Sequence, residues 1–210
     1  MTEPHPFLEL IRRRVSVEEF DPRPVDEATI RALVEDASRA PSSFNLQHWR
    51  FVAVRKPDDK DTLCRAAFGQ EQVRVAGVTF IVLGDLEAIE KLPAINRTAV
   101  AEKTLPEGKA QAWQRLAEEI YADPQMARDE AMRSASLAAM TLMLAAEARG
   151  LATGALSGFD PRQVHDEFDI EPRYLPVMLI AVGHPARVER RAQPRLDVDE
   201  ILSFDRGRRF

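Results

Sequence analysis

A single cysteine, Cys64, stands among the 210 residues, so no disulfide can close within the chain and a reducing compartment is expected. No stretch reads as a membrane span. The most apolar one, Ala135 to Ala146, is flanked by Arg133 and Glu147 and falls short of the roughly 20 residues a spanning helix needs. The N-terminus lacks a basic segment followed by an apolar run, which reads as the absence of a signal peptide. A soluble, cytoplasmic protein is the expectation. Positive charge is not in excess either: the net charge of −5 argues against a general affinity for nucleic acid or anionic membranes.

Familiar catalytic signatures are missing too. The four histidines, His5, His48, His165 and His184, are scattered singly with no His-x-x-x-His pair, so each reads as a surface or loop residue and no metal site is expected. Ser157, in Gly154-Ala155-Leu156-Ser157-Gly158, misses the nucleophile-elbow pattern by one residue. Gly150, Gly154 and Gly158 follow a helix pattern without the Gly-x-Gly-x-x-Gly spacing, and no Walker loop occurs. Cys64 falls on the apolar face of a predicted helix, the place of a buried, inert thiol.

What is present is an ordinary globular composition, with 45% hydrophobic and 30% charged residues. It is enough for one domain spanning 1–210. Helical spacing covers Phe7, Leu10 and Ile11 behind Pro6, up to about Arg14. Asp26 reads as the N-cap of a second helix with Ile30, Leu33, Val34 and Ala37 on one face. Trp49–Val54, Val78–Leu83, Leu151–Leu156 and Val177–Val182 read as strands, the last closed by Gly183. Arg128–Arg149 reads as a long helix closed by Gly150. Its apolar centre must be buried in the core or in a subunit interface. Residues 85–124 read as helical pieces. Strands separated by helices give an α/β or α+β sheet domain. The charged tail, about 185–210, carries an apolar island at Ile201, Leu202 and Phe204. That pattern fits wrapping around a partner subunit.

Three separated segments carry polar chemistry: Arg12-Arg13-Arg14-Val15-Ser16, the loop Pro41-Ser42-Ser43-Phe44-Asn45-Leu46-Gln47, and the tail arginines Arg187, Arg190, Arg191 and Arg195. Each alone has a bland reading as solvated basic face or turn chemistry. Together they are what an anionic, polyhydroxylated ligand requires. Guanidinium forks take phosphate oxygens in pairs, while Ser and Asn satisfy hydroxyls and ring heteroatoms.

The order Arg14-Val15-Ser16-Val17-Glu18-Glu19-Phe20, then Ala40-Pro41-Ser42-Ser43-Phe44-Asn45-Leu46-Gln47-His48-Trp49, resembles the opening of the FMN-dependent nitroreductase family. Arg128-Asp129-Glu130-Ala131, Gly150-Leu151-Ala152-Thr153, Ser157-Gly158-Phe159-Asp160 and Val182-Gly183 follow in the family's order. The resemblance is closest to the small NAD(P)H nitroreductase-like branch and loosest over 88–123. It implies an α+β fold with a central mixed sheet flanked by helices and a long buried helix at the interface of a homodimer. Two FMN sites would be shared between subunits.

By position, Arg14 and Ser16, with Arg12 and Arg13 beside them, would hold the phosphate and ribityl chain. Arg195, with Arg191, would complete the clamp. Pro41, Ser42, Ser43, Asn45 and Gln47 would reach the flavin from the other subunit. Leu156, Ser157 and Gly158 would line the ring, with Gln70 and Gln72 at its pyrimidine edge. NADH or NADPH would give hydride to flavin N5, and the reduced flavin would pass it to a nitroaromatic, quinone or similar acceptor in ping-pong fashion. No side chain is then needed as acid–base catalyst. The alternatives are other flavin chemistry on the same scaffold, reductive dehalogenation or ene-type reduction, and a non-catalytic flavin-binding module. Two positions depart from many relatives: Glu18 and Gln72 stand where basic residues are common, which removes positive charge near a reduced flavin.

Overall fold

The computed structural model describes residues 5–187 and 190–207. Parts of the expected tail, 188–189 and 208–210, and the first four residues lie outside that range. Five strands form one sheet: β1 (Phe20–Asp21), β2 (Trp49–Val54), β3 (Val78–Asp85), β4 (Ala152–Leu156) and β5 (Tyr174–Pro185). The order is β1-β5-β3-β2, with β4 also against β5. All four ladders are antiparallel. The expected mixed sheet is mixed only through one isolated parallel bridge, Ser16 to Thr153.

β3 is central and buried along its whole length, which is why its sequence is a continuous apolar run rather than an alternating one. β5 runs longer than expected at both ends. Tyr174 and Leu175 pair with the end of β3, and beyond Gly183 the residues His184 and Pro185 pair with β1. Gly183 therefore lies inside the strand.

Around the sheet lie α1 (Pro6–Arg13), α2 (Glu27–Ala37), α3 (Pro57–Ala66), α4 (Gln72–Val75), α5 (Leu92–Ala101), α6 (Glu107–Tyr121), α7 (Pro124–Ala148), α8 (Pro161–Glu167) and α9 (Val198–Ile201). The Asp26 carboxylate caps α2 by accepting from the Thr29 N–H. α7 starts behind Asp123 with Pro124 in its first turn. It ends before Gly150, whose φ of +73° is the left-handed conformation glycine adopts without strain.

The long helix α7 buries one face within its own subunit. Ala135, Ala138, Ala139, Leu142 and Ala146 pack with Leu33 of α2 and with Phe80, Val82 and Ile180 of the sheet. Its other face leaves Leu137 and Met140 exposed. α1 buries nothing and exposes Phe7, Leu8 and Ile11. No helix of the described residues is long and apolar enough to cross a membrane.

Candidate functional site

The N-terminal arm reaches the sheet beside β4. Ser16 bridges Thr153, and the Val17 N–H donates to the Thr153 carbonyl at 3.0 Å. Glycine at 154 permits this approach, because a Cβ there would stand 2.5 Å from the Val17 carbonyl oxygen. The Thr153 side chain is buried and its Oγ1 has no partner among the described residues. Beside the arm opens a recess of about 370 Å³, lined among others by Ser16, Glu18, Pro185, Arg190 and Arg191.

Arginines gather at this recess. Burial, and then the charge of Arg195, push the Arg14 guanidinium below its ordinary value; Arg190 adds to the effect and Glu147 opposes it. Glu147 is a buried acid in the last turn of α7, with its side chain 2% exposed. Arg190 donates to both its oxygens, at 2.8 Å and 2.7 Å, and Arg13 donates to Oε1 at 2.7 Å. Burial alone would lift the Glu147 carboxyl, but the Arg190 and Arg13 hydrogen bonds hold it below the usual value. Arg13 is thus committed to Glu147, whereas Arg12, Arg191 and Arg195 are exposed.

At the other end of β4, Gln70 donates to the Gly158 carbonyl at 2.6 Å and to the Ala67 carbonyl at 3.1 Å. Gln72 lies against Gln70 at 3.4 Å. Gln70, Gln72, Ser157 and Gly158 are therefore brought together. Leu156 faces the core, while Ser157 is exposed. Thr153 and Gly158 are at most roughly 17 Å apart along the chain, so the arginine cluster and the Gln70 group flank one strand. Cys64 is buried next to this group, donating to the Gln70 carbonyl at 3.4 Å. Burial, then nearby Glu71, push its thiol up, which makes it unreactive.

The loop 41–47 lies elsewhere. It enters β2, the opposite edge of the sheet from β4, three inter-strand steps or about 14 Å away. Among the described residues no hydrogen bond or ion pair joins it to Arg14, Ser16 or Gly158. Its backbone is left-handed at Phe44, Asn45 and Gln47. The turn is held by the Gln47 N–H donating to Ser42 Oγ at 3.0 Å and by the Phe44 ring set edge-on to Trp113 and Tyr121. Arg50 donates to the Gln47 carbonyl at 2.9 Å and pairs with Asp85 at 3.0 Å. His48, expected at the surface, is buried behind this loop, and burial lowers its pKa.

Two residues of the arginine cluster escaped the sequence reading as site residues: Arg190, taken only as part of a basic tail, and Glu147, taken as a flank of the apolar helix. The signal lay in the helical register. Glu147 follows the buried Ala146, and an acid on a buried face needs a cation partner.

The family model for the nitroreductase family matches residues 11–184. The chain belongs to the nitroreductase family. YodC of Bacillus subtilis, provisionally named an NAD(P)H nitroreductase, is 36% identical over 198 residues, covering 94% of this chain and 98% of the relative. Among solved structures, a provisionally named nitroreductase from Exiguobacterium sibiricum in complex with FMN superimposes with a TM-score of 0.86. Its identity is 30%, with 97% of this chain and 99% of that one covered. An enone reductase of gut-bacterial fatty acid saturation, CLA-ER, superimposes with a TM-score of 0.83 at 25% identity, covering 97% and 99%. Family membership joins the three polar segments of this nitroreductase into one question, namely which ligand they hold.

Proposed function

We propose that the protein is an FMN-dependent oxidoreductase that moves hydride from NADH or NADPH to a nitroaromatic, a quinone or a similar acceptor. The observation that carries this reading is the gathering of arginines beside Ser16: Arg187, Arg190 and Arg191 line the recess and Arg14 and Arg195 interact next to it, five guanidiniums against the carboxylates of Glu18, Glu19 and Glu147. Such a surplus of guanidinium fits a phosphomonoester. The polar ends of Gln70 and Gln72 fit a ligand that extends along β4 from that phosphate.

In this reading Arg14 and Arg195, with Arg191, hold the phosphate, and Ser16 meets the polyol chain. Ser157 and Gly158 lie along the ring, and Gln70 and Gln72 meet its pyrimidine edge. When bound, the flavin supplies the hydride-accepting and hydride-donating atom. The protein's own residues orient it and exclude water, and no side chain is required to move a proton.

The loop 41–47 reads as the contribution of a second subunit, since within one chain it stands about 14 Å away at the far sheet edge. The exposed apolar faces of α1 and α7 support a homodimer, and so do the exposed Leu196, Ile201 and Phe204 of the tail, which find no cover among the described residues. We place the tail, beyond its anchor at Arg190, around the partner.

Heat-releasing the cofactor and identifying it by chromatography tests the reading, with FMN at about one per chain as the expected result. Recovery of FAD, or failure to take up added FMN, would overturn it. Light scattering at low micromolar concentration should give a dimer; a stable flavin-loaded monomer would contradict the shared site. The likeness to an enone reductase favours ene-type reduction as the second reading. NAD(P)H oxidation assays with nitroaromatics, quinones and enones in parallel separate the two.

A further inference from the structure

We infer that Glu147 is a positioning residue that selects a phosphorylated flavin over an unphosphorylated one. This deepens the reading above and rests on it. Glu147 joins three parts of the chain that are remote in sequence: its own helix α7, Arg13 at the end of α1, and Arg190 at the base of the tail. Arg190 grips it with both nitrogens of its fork, the geometry that fixes orientation as well as distance.

Helix stability does not explain the acid. A carboxylate in the last turn faces the negative end of the helix dipole and is unfavourable there. Nor does core stability, because a buried ion pair is often no better than well-packed apolar residues of the same volume. The arginine cluster does explain it. Arg13 and Arg190 meet on Glu147, and Arg14 feels the charges of Arg195, Glu147 and Arg190, so Glu147 is the carboxylate that offsets the repulsion at Arg14. Glu147 takes Arg13 and Arg190 and, among the described residues, has no hydrogen bond to Arg14 or Arg195, which stay available to an anion.

The tail needs that hold. Among the described residues Arg195 bonds only to the carbonyls of its neighbours Gln193 and Pro194, at 3.4 Å and 3.5 Å. Its place beside Arg14 therefore follows from the anchor at Arg190, five residues earlier. Remove the Glu147 charge and the anchor loosens, Arg190 drifts, and the pair that meets the phosphate comes apart. The ring and polyol contacts at Ser16, Gln70 and Gly158 stay where they are, because Glu147 touches none of them.

The test measures FMN and riboflavin affinity side by side on the full-length chain freed of bound flavin, for wild type, Glu147→Gln and Arg190→Lys. Wild type should prefer FMN. Glu147→Gln should lose ten-fold or more in FMN affinity, about 1.4 kcal/mol, with riboflavin affinity within about two-fold of wild type. Arg190→Lys keeps the charge and loses the fork, and should fall between. It reads the same ratio if Glu147→Gln fails to fold. Equal losses for the two flavins would make Glu147 a general structural residue, and an unchanged FMN affinity would remove it from the clamp; either overturns the inference alone. A wild-type protein that binds neither flavin overturns the proposed function along with it.

Discussion

Two buried carboxylates organise this molecule, and they differ in what they leave over. Asp85, at the end of β3, is fully buried and meets Arg50, Lys91 and Arg173. Arg173 is shared in turn with Glu87 and Glu90, so three cations face three acids and the charges close. Glu147, at the end of α7, faces an excess of arginines. The balanced network supports structure: through Arg50 it ties the loop 41–47 to the sheet. The unbalanced one is a seat for an anion. Buried acid–arginine networks can look alike in composition, and the residual charge separates scaffold from binding site.

The largest effect should come from breaking the balanced side. Asp85→Asn would leave three cations around a neutral amide and should cost about 3 kcal/mol of stability, the low end of the range because the cations are partly exposed. Urea unfolding measures it, and a loss below half of that would mean solvent already neutralises the cluster.

On the unbalanced side, Arg14→Ala or Arg195→Ala should weaken FMN binding by roughly ten- to hundred-fold, since a charged hydrogen bond contributes about 1.5–3 kcal/mol. Stability should change little. Fluorescence titration checks the affinity, and wild-type values in both variants would return these arginines to a solvated surface.

A smaller effect on the unbalanced side depends on pH. The Glu147 carboxyl is held below its ordinary value of 4.5 by Arg190 and Arg13 against the opposing cost of burial. Its contribution to stability is therefore complete above pH 4.5 and is lost as the pH falls from there through the depressed folded value. Glu147→Gln should flatten the stability profile below pH 4.5 relative to wild type; an acid arm of unchanged steepness would contradict the shift. The smallest expected change is electronic. With flavin bound, Gln72→Lys should raise its midpoint potential, because a cation near the pyrimidine edge favours the negatively charged reduced form. Spectroelectrochemical titration at fixed salt reads it, and an unchanged potential with FMN fully bound would place residue 72 away from the ring.

Much of the scaffold was legible from local signals. Asp26 capped α2 where the apolar face of Ile30, Leu33 and Ala37 began, Gly150 closed α7, and the run Val78–Leu83 marked the central strand. The misreadings share a cause. β1 is two residues long and exists because His184 and Pro185 lie beside it. In the sequence those two residues resemble a strand end. The order of motifs was enough to mark Arg14, Ser16 and the serine-asparagine loop as candidates. It could not reveal that the loop and the arginines stand at opposite edges of one sheet, nor that an acid bordering an apolar helix collects arginines from both ends of the chain. Both are facts of distance between segments remote in sequence.

The hairpin of α5 and α6 has a consequence of another kind. It is fastened to the body through a core of its own, in which Leu46, Ala88, Leu92 and Ala117 are the buried members and Phe44 and Tyr121 pack at the side. The central sheet and α7 share much larger clusters. A unit with so few buried contacts opens at a lower free energy than the sheet, so amide hydrogens of α5 and α6 should exchange well before those of β3. Because Leu46 and Phe44 belong to both the loop and the small core, each opening uncovers the Phe44–Leu46 turn while Arg50 still holds the Gln47 carbonyl. Sequence change in the hairpin is therefore insulated from global folding and felt at once by the Phe44–Leu46 turn, which lets selection reshape one end of the molecule without renegotiating the rest.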